Sequence, residues 1–549
     1  MLDSIKHSIK KSLIVDIKDL QLGQEQIQLD LLFDDKGDLS SNICMQLSKQ
    51  LQLPPKKISE IIIKNFDNPF IESLELAGPG FINLFLNEEG LQKILLFTNE
   101  LEPKIKPLNI EFVSANPTGP LHLAHGRGAV VGDVLSNLYE FHGYEVNREY
   151  YVNNTGNQIH EFLSSILFSI SKKNNLNLNF KQFYKGDYIN EIADICYKKF
   201  NDQINNNLSS EIQQKIVNFA VNSLLEKSLE VLSKCNITFD TISYETDILN
   251  KGIFPKALSK LKEQNLIYTG KLQNPKDYDQ TKKDNDILIF KSTNFGDDED
   301  RALTKNDGNP TYFANDIAYH LDKINRGFSK LINIWGADHL GYLVRLKSAI
   351  NSINQNIDFN VVFCQIVNIK RNNQIQKLSK REGNIYELID LINEIGVDNF
   401  RFFMCYRKND THMDLDIDLI KKENKENPIY YIQYSYARTQ SVLDKTNKII
   451  DTQVLVTSEL KNLYKKLLEW ENVIKSAYQK KEVHLIAHYL ESLSSYFHTL
   501  WSSSKNNPKA KFLDNDNNIP SDLHNLLSSY QDVLKDGLKI LGIKPKLQM

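Results

Sequence analysis

The segment of residues 109–144, NIEFVSANPTGPLHLAHGRGAVVGDVLSNLYEFHGY, constrains the fold of this chain more than any other stretch. It opens with a short run of strand character, passes through a loop rich in proline and glycine, and then repeats apolar residues at Val130, Val134 and Leu138. That spacing predicts a helix. Strand, glycine-bearing loop and helix in this order open a βαβ nucleotide-binding fold, whose ligands bind at the carboxyl ends of parallel strands. We therefore predict an α/β fold with a Rossmann-like parallel sheet.

The rest of the chain divides into further units, since 549 residues exceed one hydrophobic core and predict about three or four domains. Residues 1–100 combine helical patterns with short strand-like runs, which predicts a small α+β domain. Residues 105–400 are predicted to form the parallel-sheet domain, interrupted at about 157–290 by a mostly helical insertion. Residues 425–549 have helical periodicity nearly throughout and predict an all-α bundle.

Composition limits the partners and the compartment. The net charge of −3 indicates no polyanionic partner for the chain as a whole, so any nucleic acid must bind local basic patches. No apolar run approaches the ~18 residues of a membrane span. The N-terminal pattern predicts a first helix of the mature protein rather than a signal peptide. Scattered cysteines argue against a zinc site or disulfide framework. We expect a bacterial cytoplasmic protein without a tightly bound metal.

Two histidines, His122 and His125, stand three residues apart where the loop meets the predicted helix. They could be structural, bind a metal or hold an anion. A zinc site would need further ligands, and neither a cysteine nor an acidic residue is placed for it. At a helix N-terminus, histidine donors suit the developing charge of a phosphoryl centre.

A second element, QKLSKREGN, lies some 250 residues later and favours the anion. It crowds Lys377, Lys380 and Arg381 into one short loop, with Ser379 and Gly383 beside them. Mutual repulsion of these cations costs energy unless an anion arrives. Mobile lysines would suit departing pyrophosphate. Together the two elements predict the two halves of a triphosphate clamp.

The pairing of HLAH (122–125) with KLSKR (377–381) resembles the class I aminoacyl-tRNA synthetases. In that class a His-x-Gly-His tetrapeptide and a Lys-Met-Ser-Lys-Ser loop surround ATP. The third position of the tetrapeptide is Ala124 here rather than glycine, so we expect a slight loss of ATP affinity without a loss of activity. A small nucleotidyltransferase would share HLAH, but it would not need a helical bundle of 120 residues.

Carboxylate, amide and phenol groups lie in and beyond the same segment and suit a long cationic substrate, because a guanidinium prefers bidentate carboxylate pairing. The candidates are Glu111, Asn116, Tyr312, Asp316 and Asp338. The alternative is that these acids are solvated or pair with Arg301 and Arg345.

The whole chain resembles the bacterial arginyl-tRNA synthetase family, in stretches such as ELAGPGFIN, YVNNTGNQI, TYFANDIAYH, WGADHLGY and ENPIYYIQYSYAR. The resemblance implies a monomer that uses ATP with Mg²⁺, L-arginine and tRNA(Arg). It implies that the five candidates above hold arginine. It implies that ATP is held by His122, Ala124, His125, Lys377, Ser379, Lys380 and Gly383, with the two histidines and two lysines acting in catalysis. A catalytically silent tRNA-binding relative remains the alternative.

The terminal domains are expected to bind tRNA, the first at the D-loop side of the elbow and the last at the anticodon. The resemblance implies that the anticodon contacts come from Tyr430, Gln433, Tyr434, Arg438 and Met549. Lysines of the last domain, Lys465 among them, are expected to contact phosphates.

Overall fold

The structure is a computed structural model that describes residues 2–17, 20, 22–23, 26–31, 36–87, 89–90, 106–271, 286–376, 386–452, 457–506 and 511–549. Within these ranges the chain forms an N-terminal module, a central region with a parallel sheet, and a C-terminal helical region. No helix of the described ranges carries an apolar stretch long enough to cross a membrane.

The N-terminal module packs three helices against a four-stranded antiparallel sheet of order β1-β2-β4-β3. Its elements are α1 (Leu2–Asp16), β1 (Asp30–Leu31), β2 (Leu39–Ser41), α2 (Ile43–Leu51), α3 (Pro55–Asn65), β3 (Ile71–Ala77) and β4 (Phe81–Leu86). Ile5, Ile9 and Leu13 recur every four residues, so they share one face of α1 and are fully buried in the core. The predicted first helix and the α+β character of this module are confirmed.

The central region begins with β5 (Pro107–Glu111), α4 (Leu123–Phe141), β6 (Glu145–Val152), α5 (Asn157–Asn174), α6 (Asp187–Phe200), α7 (Ser210–Lys234) and β7 (Thr241–Tyr244). It continues with α8 (Glu245–Asn250), α9 (Ile253–Glu263), β8 (Ile267–Gly270), β9 (Ile287–Phe290), β10 (Arg301–Ala302), α10 (Tyr312–Asn325), β11 (Lys330–Gly336), α11 (Leu343–Ile353) and β12 (Asp358–Cys364). Its main sheet has the order β12-β11-β5-β6-β7. All four pairings are parallel, which confirms the predicted Rossmann-like sheet.

The segment 157–290 differs from the single helical insertion expected there. Its helices α5–α7 do lie between two strands, but Thr241–Tyr244 pairs with the end of β6 as the edge strand of the main sheet. Strands β8, β9 and β10 then form a separate antiparallel sheet. The four residues of β7 are too few to give a periodic signal, and their pairing partner lies about 90 residues earlier in the chain, as the pair Glu149 and Thr241 illustrates.

The chain then forms β13 (Val367–Arg371), β14 (Gln374–Gln376), α12 (Leu388–Ile395), α13 (Val397–Cys405), β15 (Met413–Asp416) and α14 (Ile417–Ile420). The C-terminal region comprises α15 (Pro428–Asp444), β16 (Lys448–Ile450), α16 (Ser458–Leu468), α17 (Trp470–Lys480), α18 (His484–Asn506), β17 (Asn518–Pro520) and α19 (Ser521–Ile540). It is helical as predicted, with one short parallel pair, β16 and β17, added to it.

Two buried arginines fix α4 against the rest of the molecule. Arg127 donates to four backbone carbonyl groups between residues 365 and 411, at 2.6–3.3 Å. Arg401 donates to the carbonyl oxygens of Cys235 and Leu541, each at 2.7 Å, and pairs with Asp133 on α4. Because a buried guanidinium must satisfy its donors, these bonds determine the position of the helix that begins at HLAH.

Candidate active site

The carboxyl edge of the parallel sheet collects the polar residues of the site. Strand β5 ends at Glu111, β6 at Val152, β7 at Tyr244 and β11 at Gly336. The HLAH turn and α4 follow β5, which lies at the centre of the sheet. Open α/β sheets bind their ligands at this edge, which makes it the candidate site.

His122 and His125 hold each other at the first turn of α4. His122 is the N-cap residue: its side chain accepts the backbone N–H of His125, and its own backbone N–H donates to Nδ1 of His125 at 3.2 Å. The two rings lie 3.9 Å apart, centroid to centroid. This reciprocal cap holds both imidazoles at the N-terminus of a 19-residue helix, whose positive dipole end stabilises an anion. Ala124 is exposed on the same turn.

The second half of the predicted clamp lies outside the described residues: Lys377, Ser379, Lys380, Arg381 and Gly383 all belong to the gap at 377–385. The described residues after that gap lie beside HLAH. Glu387 forms an antiparallel bridge with His122, and the N–H of Leu388 donates to the carbonyl of Leu121 at 2.9 Å. The chain that follows the gap therefore lies beside the histidine pair.

Close packing explains the glycine that follows HLAH. A Cβ atom on Gly126 would lie 2.9 Å from Cδ1 of Leu388 on α12 and 3.2 Å from the ring of Phe400 on α13. The glycine thus lets α4 approach the two helices that follow the lysine-rich segment.

Asp316 lies near the start of α10, which Thr311 caps by accepting the N–H of Ala314 at 3.3 Å. The hydroxyl of Tyr342 donates to the Asp316 carboxylate. The pKa of this carboxyl group is raised to about 7. Burial is the main cause, and the nearby charges of Glu111 and Glu245 act in the same direction. A cation that enters this site would ionise the group and pair with it.

Glu245 is an acidic residue of the site that the sequence prediction missed. It follows β7 directly, is almost fully buried, and accepts from the amide of Asn315 at 2.6 Å. Asn153, oriented with its amide nitrogen toward Glu245, donates to the other carboxylate oxygen of Glu245 at 2.8 Å. Burial raises the pKa of Glu245 above its ordinary value. The sequence signal for Glu245 is an acid at the end of a strand, but the predicted insertion at 157–290 includes that strand and hides the signal.

Glu111 lies at the end of β5 with both carboxylate oxygens engaged. Lys323 donates to Oε2 at 2.6 Å and Ser114 donates to Oε1 at 3.0 Å. The intervening backbone is unusual, because Val113 and Ser114 adopt φ angles of 66° and 39° in the left-handed region. A β-branched residue in this conformation is strained, and such strain concentrates at functional sites.

The other three arginine candidates lie at the periphery. Asn116 is exposed and donates to Gln158 at 2.6 Å. Tyr312 is exposed at the first position of α10. The side chain of Asp338 is 81% exposed, beside His339, so it does not share the enclosed environment of Asp316.

The alternative in which the arginine candidates pair with Arg301 and Arg345 is wrong. Both guanidinium groups pair with Asp297, at 2.8 Å and 3.5 Å respectively. The observed partners of Asp316 and Glu245 are neutral donors. Asp316 and Glu245 therefore accept from neutral donors, whereas Glu111 is already paired with Lys323.

Of the tRNA candidates, Tyr430, Tyr434 and Arg438 share one half-exposed face of α15. The two tyrosine rings stack at 6.2 Å, and the guanidinium of Arg438 lies 4.1 Å above the ring of Tyr434. Gln433 is buried instead, and its amide bonds the backbone of Lys544 and Lys546 at 2.9 Å and 2.8 Å. It therefore holds the C-terminal tail.

A cavity of about 240 Å³ lies beside this tail. Tyr430, Gln433, Lys546 and Met549 line one part of it, and residues of α13 and α14 line another. The buried Lys465 corrects an expectation, because it pairs with Asp38 of the N-terminal module at 2.7 Å rather than facing solvent as a phosphate contact.

A parallel sheet with a histidine-capped helix at its carboxyl edge agrees with the catalytic domain of a class I aminoacyl-tRNA synthetase, which the family models identify in this chain. The family model described as "tRNA synthetases class I (R), catalytic domain" matches residues 91–416, the "Arginyl tRNA synthetase N terminal domain" matches residues 2–86, and the "DALR anticodon binding domain" matches residues 432–549. The chain belongs to the arginyl-tRNA synthetase family.

Individual relatives agree with this assignment. The arginine–tRNA ligase of Pelagibacter ubique (strain HTCC1062) is 38% identical over 538 residues, which cover 93% of this chain and 92% of the relative. The arginine–tRNA ligase of Rickettsia canadensis (strain McKiel) is 34% identical, and the match covers 100% of this chain and 100% of the relative. The solved arginyl-tRNA synthetase of Thermus thermophilus shares the fold with a TM-score of 0.70, at 18% identity and 99% coverage of both chains.

Proposed function

We propose that this chain activates L-arginine with ATP and transfers it to the terminal adenosine of tRNA(Arg), with the described site as the reaction centre. The observation that supports this most is the common location of two elements. A histidine pair at a helix N-terminus and a cluster of buried carboxylates occupy the same edge of one parallel sheet. The first suits a triphosphate and the second a guanidinium.

In the first step, a carboxylate oxygen of arginine attacks the α-phosphorus of ATP, and the bond to the β-phosphate oxygen breaks to release pyrophosphate. His122 and His125 would donate to the α-phosphate oxygens, where negative charge grows in the transition state. Lys377 and Lys380 would stabilise the departing pyrophosphate, with Ser379, Gly383 and the exposed Ala124 against the nucleotide. In the second step, the 2′-hydroxyl of the terminal adenosine attacks the carbonyl carbon and AMP leaves.

Magnesium would enter with ATP as part of the substrate complex and neutralise its phosphates. Within the described residues no three His, Cys, Asp or Glu side chains are grouped so as to hold a metal ion. No side chain needs to act as a nucleophile, so catalysis would rest on positioning and electrostatics.

The arginine substrate would lie along the edge of the sheet with a defined orientation. Its carboxylate must reach the phosphate at the histidine pair, which follows β5. Glu245 follows β7, two strands away, or about 10 Å at the usual strand spacing. The guanidinium would therefore pair with Asp316 and Glu245, and the α-ammonium group would lie near Glu111. Asn116, Tyr312 and Asp338 would close the pocket when the substrate binds.

The terminal regions would bind tRNA, the N-terminal module at the elbow and the C-terminal helices at the anticodon. Tyr430 and Tyr434 offer ring faces for splayed bases, and Arg438 adds a cation beside them. The cavity at Met549 is the proposed base pocket, with Gln433 holding the tail that forms it. We further propose that the protein acts as a cytoplasmic monomer.

One assay tests the proposed reaction against its alternatives: arginine-dependent exchange of pyrophosphate into ATP, measured with and without tRNA(Arg). We expect exchange that depends on arginine, and aminoacylation of the tRNA. Exchange without any arginine dependence would indicate a small-molecule nucleotidyltransferase. Its absence under both conditions, with tRNA binding retained, would indicate a catalytically silent relative.

A further inference from the structure

Tyr188, the second residue of α6, contacts the loop that joins β5 to α4. Its hydroxyl group donates to the carbonyl oxygen of Thr118 at 3.1 Å. A Cβ atom on Gly119 would lie 3.5–3.8 Å from the hydroxyl oxygen and the adjacent ring atoms, so the ring also covers this glycine. Burial raises the pKa of Tyr188 to about 12, which keeps the hydroxyl group a donor near neutral pH. A residue of the segment expected as an insertion therefore holds the loop before HLAH.

The backbone of this loop provides few hydrogen bonds of its own. Pro117 and Pro120 have no backbone N–H group, and the N–H of Thr118 donates to the carbonyl of Asn116 at 2.8 Å. Thr118 is buried, and a buried carbonyl group needs a donor. The hydroxyl group of Tyr188 supplies that donor.

The bond at Thr118 is the middle one of three that hold the loop from different elements. The hydroxyl of Tyr150 on β6 donates to the carbonyl of Ala115 at 2.9 Å. The N–H of Leu388 on α12 donates to the carbonyl of Leu121 at 2.9 Å. These carbonyl groups lie three residues before and three residues after Thr118. Loss of the middle bond would leave the loop held at its two ends and free to shift between them.

The tyrosine that makes the middle bond is itself fixed in place. Ile189 and Ile192, on the same helix, are fully buried in the main core. Gly186 precedes the helix with a φ angle of 127°, and a Cβ atom there would lie 3.1–3.2 Å from the ring of Tyr188. The glycine thus lets the ring pack closely against the backbone. A side chain locked by packing can hold a neighbouring loop in one position.

The position of the loop matters because His122, which caps α4, directly follows it. We propose that Tyr188 is a positioning residue of the nucleotide site, which holds the loop at Thr118 and thereby aligns His122 and His125 with the α-phosphate of ATP. This inference rests on the proposed function of the site. Tyr188 contacts no substrate itself and acts only through the loop.

The first test removes only the hydroxyl group, with Tyr188→Phe in the full-length protein, and measures arginine-dependent exchange at saturating arginine and tRNA. The histidines donate most strongly in the transition state, so the loss of one hydrogen bond behind them should lower kcat about three- to tenfold while the KM for ATP stays within about twofold. Tyr184→Phe is the matched control, because Tyr184 precedes the same helix but packs edge-on against Phe162 of α5, at 6.1 Å between ring centroids. It should leave kcat unchanged. An unchanged kcat in Tyr188→Phe, or an equal loss in Tyr184→Phe, would overturn the proposal.

A double-mutant cycle tests whether Tyr188 acts through the histidine pair. His122→Asn removes one imidazole but keeps a side chain that can cap the helix. Because the two histidines hold each other, this substitution also releases His125. Tyr188→Phe added to it should therefore lower kcat by less than about twofold. A loss as large as that of Tyr188→Phe alone would show that Tyr188 acts independently of the pair and would overturn the proposal. An unsubstituted protein without arginine-dependent exchange would instead contradict the proposed function.

Discussion

At the scale of single residues, the carboxyl group of Asp316 decides how the site responds to pH. Its pKa of about 7 in the folded protein reflects burial first and the neighbouring carboxylates second. A raised pKa means that the group takes up a proton below pH 7, where it no longer offers a charge to a guanidinium. Arginine binding must then displace that proton.

We therefore expect kcat/KM for arginine to fall as the pH drops through 7, by about tenfold per unit below it. Above pH 7 the carboxylate is already ionised and the parameter should level off. The measurement is kcat/KM for arginine from pH 5.5 to 8.5 at saturating ATP and tRNA, where the pH limits are about 1.5 units on either side of the expected pKa. A limb centred near pH 4 would show that Asp316 is ionised throughout and contradict the expectation.

Removing Asp316 should abolish most of the activity. In Asp316→Ala the guanidinium would enter a buried site without its carboxylate, at a cost of ~3–5 kcal/mol, so kcat/KM for arginine should fall at least about a hundredfold. Asp322→Ala is the matched control on the same helix, because Asp322 pairs with Lys251 and Arg326 away from the acidic cluster. Near-normal turnover of Asp316→Ala would refute the assignment of the pocket.

We expect a smaller effect from a substitution of the alanine in the tetrapeptide. Ala124 is exposed on the first turn of α4, where the family has glycine and the adenine ring approaches the backbone. Ala124→Gly should lower the KM for ATP by about twofold and leave kcat unchanged, since only a methyl contact is removed. An unchanged KM would show that the methyl group and the nucleotide do not meet.

At the scale of secondary structure, α4 positions the histidines and depends on one close contact with the strand before it. A Cβ atom on Gly132 would lie 2.3 Å from Cγ of Phe112, the residue that follows β5. Gly132→Ala should destabilise the protein by about 1–3 kcal/mol through overpacking, despite the better helix propensity of alanine. The measurement is the midpoint of denaturant unfolding.

Gly128→Ala on the same helix is the matched control for that prediction. Its Cβ atom would meet only Cγ2 of Ile334, at 3.8 Å, which is an ordinary contact. The gain in helix propensity should then be neutral or stabilising by up to about 1 kcal/mol. If both variants lose the same stability, glycine is needed on α4 for a reason other than the approach of Phe112.

Local signals explain which elements were predictable. The strand of β5 and the helix α4 were predicted because the apolar spacing and the loop between them lie within 36 consecutive residues. Strand β7 gave no such signal, and with it Glu245 was overlooked. Lys323 looked like an ordinary charge on a helix; its burial depends on Glu111, which is 212 residues away in the chain. Glu111 and Asp316 were predictable by type and position, but Glu245 and the cation that balances Glu111 were not.

At the scale of the whole molecule, one buried ion pair connects the first module to the last region. Lys465 on α16 lies 2.7 Å from Oδ1 of Asp38 and donates to the carbonyl of Gly37 at 3.0 Å. The second oxygen of Asp38 accepts the N–H of Leu86 on β4 at 2.7 Å. Leu468, one turn farther along α16, packs against the apolar core of the module. Both side chains of the pair are less than 10% exposed, so the contact is a docking site between the two proposed tRNA-binding regions.

If these regions bind the elbow and the anticodon of one tRNA, their relative position determines the affinity for tRNA but not the chemistry of activation. Lys465→Met leaves Asp38 buried without its cation, which costs ~3–5 kcal/mol and should loosen the docking. We expect the KM for tRNA in aminoacylation to rise at least about tenfold, while the KM values for arginine and ATP at saturating tRNA stay within about twofold. Asp38→Asn combined with Lys465→Met removes both charges and should recover part of the lost affinity, because no unpaired charge remains buried. An unchanged KM for tRNA in Lys465→Met would mean that the two regions bind independently, and a parallel loss for arginine and ATP would mean that the ion pair supports the catalytic domain instead.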